Sequence, residues 1–332
     1  MKIEGGKFVV TGGVSLIGSH IAEQLLAAGA REVVLFDNYS LGTADLIGDL
    51  LRDKRVRIVR GDILRVNEMY DAFQGASGVF AAAAFLTLPL SQNPPLGLSV
   101  NVLGHANLLE ACRYTGVGKV VFSSSVAIYG DPGAETIRED SALNLAPFSP
   151  AAALYSATKI IGENLGRLYH QKLGVQFVSL RYSTVYGERQ HYRGVNALYI
   201  MENYDRIARG ERPTIPEDGR EVHDYIHVSD VAAANVVAMA SDVSGESINV
   251  CTGVATTLND LVRTLLAVMG STLEPEYRTD PKALRASTAT RMDFSIAKAE
   301  KLLGWKPRVD LAEGVRRLVA WRRKQDEAGR AS

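Results

Sequence analysis

The chain is poor in cysteine: Cys112 and Cys251 are the only two in 332 residues. They lie far apart, one in an apolar helical pattern and one beside an expected strand, so they read as buried thiols. No disulfide framework is indicated. Net charge is also missing, because 37 basic residues balance 37 acidic ones. That balance gives no electrostatic reason to expect nucleic acid or an anionic membrane as partner. No apolar run is long enough to span a bilayer. The N-terminus enters a strand with no basic stretch and apolar core before it. The expectation from these absences is a cytoplasmic protein. No internal repeat and no metal-ligand set is found.

What is present is an ordinary globular composition, 46% hydrophobic and 22% charged. Short β-branched runs at residues 7–11, 32–36, 56–60, 78–82, 119–123 and 175–180 read as strands. Amphipathic stretches at 16–28, 95–115 and 151–173 read as helices. This alternation predicts βαβ units, hence an α/β fold with a doubly wound parallel sheet. The pattern loosens after Tyr182, with Pro213, Pro216 and shorter helices. Residues 1–182 are read as the main domain and 183–322 as a smaller substrate-binding lobe. Residues 224–228 and 247–250 look like strands able to return to the main sheet. The polar residues 323–332 are expected to fray.

The first strand runs into Thr11-Gly12-Gly13-Val14-Ser15-Leu16-Ile17-Gly18 and then a helix. Glycines in such a turn let the backbone approach a pyrophosphate, which the helix N-terminus attracts. Asp37 closes the second strand, 19 residues after Gly18. A carboxylate there accepts from ribose hydroxyls and repels a 2′-phosphate, which favours NAD over NADP. Asp62, after the third strand, suits either the adenine end or a helix N-cap.

Tyr155 and Lys159 are four apart in a predicted helix, so phenol and ammonium share one face. The ammonium is expected to lower the phenol from its usual ~10. A proton exchange with a substrate hydroxyl near neutral pH would follow. The strand at 119–123 ends in Ser123-Ser124-Ser125, where open α/β sheets place ligands.

Taken in order along the chain, these motifs resemble the extended short-chain dehydrogenase/reductases, in particular the nucleotide-sugar epimerase/dehydratase group. The resemblance is carried by residues 11–18, 37–38, 61–63, 82–84, 101–104, 123–130, Tyr155/Lys159, 181–182, 185–187, 224–228 and 303–307. It implies a Rossmann-type domain binding NAD, with a small C-terminal lobe over the cleft. The implied cofactor contacts are Gly12, Ser15, Leu16, Ile17, Gly18, Asp37, Asn38, Ser40, Gly42, Asp62, Ile63, Ala82, Ala83, Ala84, Asn101, Ser123, Tyr155, Lys159 and Tyr182. The implied catalytic trio is Tyr155, Lys159 and Ser125. Thr87, Ser91, Ser125, Thr184, Arg220, His223 and Arg285 are the implied substrate contacts. The resemblance also implies a homodimer joined through a four-helix interface near residues 95–115 and 150–172. Dehydratases of this group carry an Asp-Glu pair where Val126-Ala127 stand, so a 4,6-dehydratase is disfavoured.

Four positions depart from the group's pattern. Ser15 replaces the middle glycine of the phosphate turn, and cofactor binding is expected to survive. Ala81-Ala82 stand for His-Leu. Ser183-Thr184 stand for Phe-Asn, and Thr184 offers fewer hydrogen bonds. His223 stands for an Arg that clamps a diphosphate, which is not a neutral exchange. Arg220, Lys282, Arg285 or Arg291 are candidates for the missing charge. The leading expectation is an NAD-dependent nucleotide-sugar epimerase, most simply a 4-epimerase. The alternative is an NAD-dependent dehydrogenase or reductase whose substrate lacks a nucleotide diphosphate. A non-catalytic NAD sensor is a third reading, which the complete trio argues against.

Overall fold

The β-branched runs of the first half form β1 (Lys7–Thr11), β2 (Glu32–Asp37), β3 (Val56–Arg60), β4 (Gly78–Ala81), β5 (Lys119–Ser125) and β6 (Gln176–Tyr182). The second half adds β7 (Thr184–Tyr186), β8 (Thr214–Pro216), β9 (Val222–His227), β10 (Glu246–Val250), β11 (Ala255–Thr257) and β12 (Glu276–Arg278). This computed structural model describes residues 1–131, 136–190, 195–279 and 292–331, without the side chains of 195–198 and 328–331.

Seven strands form one parallel sheet in the order β10-β6-β5-β4-β1-β2-β3. Alternation along each strand sends neighbours to opposite faces. Val10 thus packs with Ile21, Leu25, Val231 and Ala238, under helices Leu16–Ala27 and Val228–Ala240. Val9 packs on the other face with Met69, Phe73, Leu108 and Leu109. Both faces are covered, so these strands read as near-continuous apolar runs. The chain order reverses between β1 and β4, which creates a crevice at their C-terminal ends.

The second lobe has its own core. Tyr186, Ile200, Tyr204, Leu261, Leu265, Val315 and Leu318 pack together there. β9 lies between β7 and β11, and β8 pairs with β12.

Three expectations are corrected. The helix expected at 95–115 is broken into Thr87–Gln92, Pro94–Leu98, a wide π-helical stretch Ser99–Gly104, and His105–Thr115. Asn93 caps the second piece through Leu96 N at 3.3 Å, with Pro94 at its first position. The wide stretch contains Asn101, whose amide accepts from Phe85 N at 2.7 Å and donates to Phe85 O at 2.9 Å. Of the two strands expected to return, only β10 joins the main sheet; β9 pairs with β7 and β11 in the second lobe. Residues 323–331 continue the helix Leu311–Ala331 instead of fraying. Tyr204 holds Asp326 at 2.9 Å and Arg322 bridges Asp205 at 3.5 Å.

Candidate active site

The β1 turn is shaped by what fits between backbones. Gly12 has φ +67°, and a Cβ there would lie 3.0 Å from the Ala83 backbone. A Cβ on Gly18 would lie 2.3 Å from Gly12 O. The Ser15 position has no such demand: its φ is −84° and its backbone is extended. Its hydroxyl donates to Gly12 O at 2.6 Å and accepts from Gly18 N at 3.3 Å, an N-cap. Ser15 therefore orders the turn rather than crowding it. The first-turn N–H groups of Leu16 and Ile17 have no intrahelical acceptor and mark the helix's positive end.

β2 delivers Asp37 to the same edge. Its carboxylate accepts from Val14 N at 3.1 Å and Tyr39 N at 2.8 Å, tying the acidic residue to the glycine turn. Burial pushes this carboxyl above its ordinary value, while the Tyr39 and Val14 N–H groups pull it back. Asp62 accepts from Leu64 N at 2.9 Å and from the Asn38 amide at 3.4 Å. Arg65, not Asp62, precedes the helix Val66–Phe73.

These pieces line an open cleft at the switch point. Of the expected cofactor contacts, Gly12, Ser15, Asp37, Asn38, Ser40, Asp62, Ile63, Ala82, Ala83 and Ala84 line it. Phe36, Leu41, Phe85 and Val100 also line it and were missed. They are apolar, and in the sequence they look like ordinary core. Gly42 lies outside the lining and packs on Val14, where a Cβ would meet Val14 O at 2.8 Å. Asn101 serves the cleft indirectly, by clasping the Phe85 backbone. The Ser123 hydroxyl lies 3.2 Å from that of Tyr182, which in turn takes a 2.8 Å bond from Asn235; both are buried outside this lining.

The helix Pro150–Leu173 starts on the Ser149 cap with Pro150 in its first turn and stops at Gly174, φ +74°. It turns Tyr155 and Lys159 onto the end of β5. The Ser125 hydroxyl lies beside the Tyr155 phenol and favours its ionised form. Lys159 Nζ donates to Ser123 O at 2.8 Å and stands 5.8 Å from the Tyr155 ring centroid. The expected lowering of the phenol does not come from the protein's own groups. Burial pushes Tyr155 up to about 12, and only the Ser125 hydroxyl opposes it. Burial also brings Lys159 down to about 8, against the pull of Glu163. Val126 and Ala127 occupy a short turn capped by Ser125, and neither side chain can move a proton.

The expected substrate contacts are not gathered into a phosphate clamp among the described residues. Thr87 opens, and Ser91 sits within, the helix Thr87–Gln92; the Ser91 hydroxyl donates to Leu88 O. Thr184 pairs with Tyr225 across β7 and β9. Arg220 is exposed and bridges Asp218 at 2.8 Å. His223 is buried, 2.7 Å from the Glu221 carboxylate. Arg285, with Lys282 and Arg291, lies outside the described residues.

A glycine-built cradle at a switch point, with a carboxylate to meet a ribose and hydroxyls at the next strand's end, suits a nicotinamide dinucleotide. That defines the class: an NAD-dependent enzyme of the extended short-chain dehydrogenase/reductase type. The chain belongs to the NAD dependent epimerase/dehydratase family, whose profile matches residues 8–251. It is 32% identical over 323 residues to a UDP-glucose 4-epimerase of Mycolicibacterium smegmatis, covering 96% of this chain and 99% of that protein. Its fold superposes on the Thermus thermophilus UDP-glucose 4-epimerase complex with NAD at TM-score 0.82 and 34% identity, covering 96% of this chain and 99% of that one. For the Thermotoga maritima UDP-glucose 4-epimerase with UDP-glucose the TM-score is 0.84 and the identity 31%, at the same coverage. Among the described residues no helix is long and apolar enough to cross a membrane.

Proposed function

We propose that this enzyme is a nucleotide-sugar 4-epimerase that retains its NAD through each turnover. The reading is carried by the Ser125–Tyr155–Lys159 arrangement at the strand end, in a chain similar along nearly its whole length to UDP-glucose 4-epimerases. When bound, NAD supplies the hydride acceptor and, once reduced, the donor, and its positive ring charge would supply the lowering of the phenol that the protein's own groups do not. Gly12, Ser15 and the helix N-terminus hold the pyrophosphate, and Asp37 the adenosine ribose. Tyr155 Oη takes the proton from a sugar hydroxyl as that carbon becomes a ketone. The same phenol returns the proton to the oxygen when the carbon is reduced from its other face. Ser125 Oγ holds that oxygen in both directions. Val126 and Ala127 provide no acid or base for elimination, so the ketone persists until it is reduced.

The test is heat release of the nucleotide from purified protein, with conversion of UDP-galactose to UDP-glucose when no NAD is added. Stoichiometric NAD and conversion are expected. Empty protein that accumulates NADH from added NAD⁺ and an alcohol overturns the epimerase reading. That outcome selects a net dehydrogenase, which the pairing of His223 with Glu221 and of Arg220 with Asp218 would favour.

We also propose a homodimer. Leu96, Leu103 and Tyr114 on one helical run, and Ile161 and Leu168 on the neighbouring helix, are exposed apolar side chains. A spacing of seven places Ile161 with Leu168 on one stripe of the regular helix. That stripe and the exposed Leu103 and Tyr114 of the neighbouring run, from each protomer, make the four-helix contact.

A further inference from the structure

Behind the trio lies a buried charge cluster that the reaction as drawn does not use. Glu163 is four residues beyond Lys159 on the same helix and 2% exposed. Arg181, on β6, grips both of its oxygens at 2.9 and 2.8 Å. Ser124 donates to Glu163 Oε1 at 2.6 Å, and Ser247, on β10, donates to Oε2 at 2.9 Å. Arg167 approaches the same oxygen at 3.2 Å. Arg181 is held in turn by the Tyr129 hydroxyl at 2.7 Å and Glu139 O at 2.9 Å.

Ser124 sits between the two groups that matter. Ser123 O receives the Lys159 ammonium, and the Ser125 hydroxyl meets the Tyr155 phenol. A rigid bond to Ser124 therefore fixes the strand end on which both contacts depend. We propose that Glu163, clamped by Arg181, is a positioning residue that sets the Ser123–Ser125 strand end and keeps the Lys159 ammonium charged. A carboxylate one helical turn away favours the cation, and the low dielectric of a buried site strengthens that effect. Burial alone would push Lys159 further down, and Glu163 is the group that opposes it. His105, from the neighbouring helix, adds no standing charge, because burial lowers it to about 3. Burial raises the Tyr155 phenol, so the protein by itself places no phenolate there, and Ser123 and Phe122 contribute a carbonyl and a ring face.

The catalytic half of this inference rests on the trio's proposed role; the electrostatic half does not. The experiment is an NMR titration of isotopically labelled lysine side chains in the NAD-loaded enzyme, with Lys159 assigned by its loss in Lys159→Met. In Glu163→Gln the Lys159 midpoint should fall below that of the wild type measured in the same NAD-loaded state. Glu163→Asp should restore most of it. In parallel, kcat for UDP-galactose should drop roughly tenfold to hundredfold in Glu163→Gln, with KM little changed. If Glu163→Gln does not fold, Ser124→Ala removes only the strand-end bond. It should lower kcat several-fold at unchanged NAD content. A Lys159 midpoint unmoved by Glu163→Gln overturns the proposal; where that variant does not fold, a kcat unchanged in Ser124→Ala does so. A wild type that does not interconvert the sugars refutes the functional reading alone, since the titration still reads Glu163.

Discussion

Replacing Gly18 by alanine separates the steric demands of the phosphate turn from helix propensity. In a helix interior alanine is favoured over glycine by about 1 kcal/mol. Against this, the new Cβ would sit 2.3 Å from Gly12 O and 2.9 Å from Gly13 Cα, both backbone atoms that no rotamer change can move. Overpacking of this kind costs about 1–3 kcal/mol, and the 2.3 Å approach puts it at the upper end. The net expectation is a loss of about 1–2 kcal/mol, with the turn shifted away from the helix N-terminus. Because about 1.4 kcal/mol is tenfold in affinity, a shifted turn that costs the bound pyrophosphate a similar about 1–2 kcal/mol should weaken NAD roughly 5- to 30-fold. Thermal melts and calorimetric titration with NAD read both effects. Gly48→Ala is the control, since nothing lies within 4 Å of its added Cβ; it should melt at or above the wild type. Ser15→Gly loses an N-cap hydroxyl but keeps the backbone, so its NAD affinity should stay near the wild type's. A Gly18→Ala protein that melts no lower than wild type and binds NAD within twofold of it would refute the steric demand at this turn.

Asp37→Ala should weaken NAD and narrow the preference over NADP, read by titrating both nucleotides. Lys159→Met should be inactive yet melt no lower than wild type at pH 7. The buried ammonium titrates at about 8 against a usual 10.5, so its charge opposes folding at neutral pH, and that penalty is relieved as pH rises from about 8 towards 10.5. A clearly lower melt would contradict the burial account. Leu168→Glu should convert a particle of twice 35.9 kDa into one of 35.9 kDa by light scattering, and a variant that stays dimeric removes this stripe from the interface.

The α/β alternation was legible because parallel strands covered on both faces must be runs of apolar, β-branched residues. The cofactor turn and Asp37 were legible because their chemistry depends on short spacings. What stayed hidden depends on contacts distant in sequence. The π-helical stretch follows the clasp of Asn101 on Phe85, 16 residues away. The end of the last helix, from residue 323 on, was read as a fraying tail because its polar residues reveal nothing of Asp326 meeting Tyr204. β9 looks like a strand in any window, but its sheet is chosen by β7 and β11. The Tyr155/Lys159 pair was visible at its helical spacing, while the balance of its charges was not. Burial is a tertiary property, and it holds Tyr155 at about 12 despite the neighbouring ammonium. Glu163 escaped for the same reason, since only the fold shows that Arg181 and Ser124 close around it.

The most direct test is to incubate purified protein with UDP-galactose, without added nucleotide, and follow UDP-glucose together with reduced-nicotinamide absorbance. The account predicts conversion with no net NADH, and a fall of about 10²–10⁴ in Tyr155→Phe at unchanged NAD content. Wild-type turnover in Tyr155→Phe, or NADH accumulating in step with product, would contradict it.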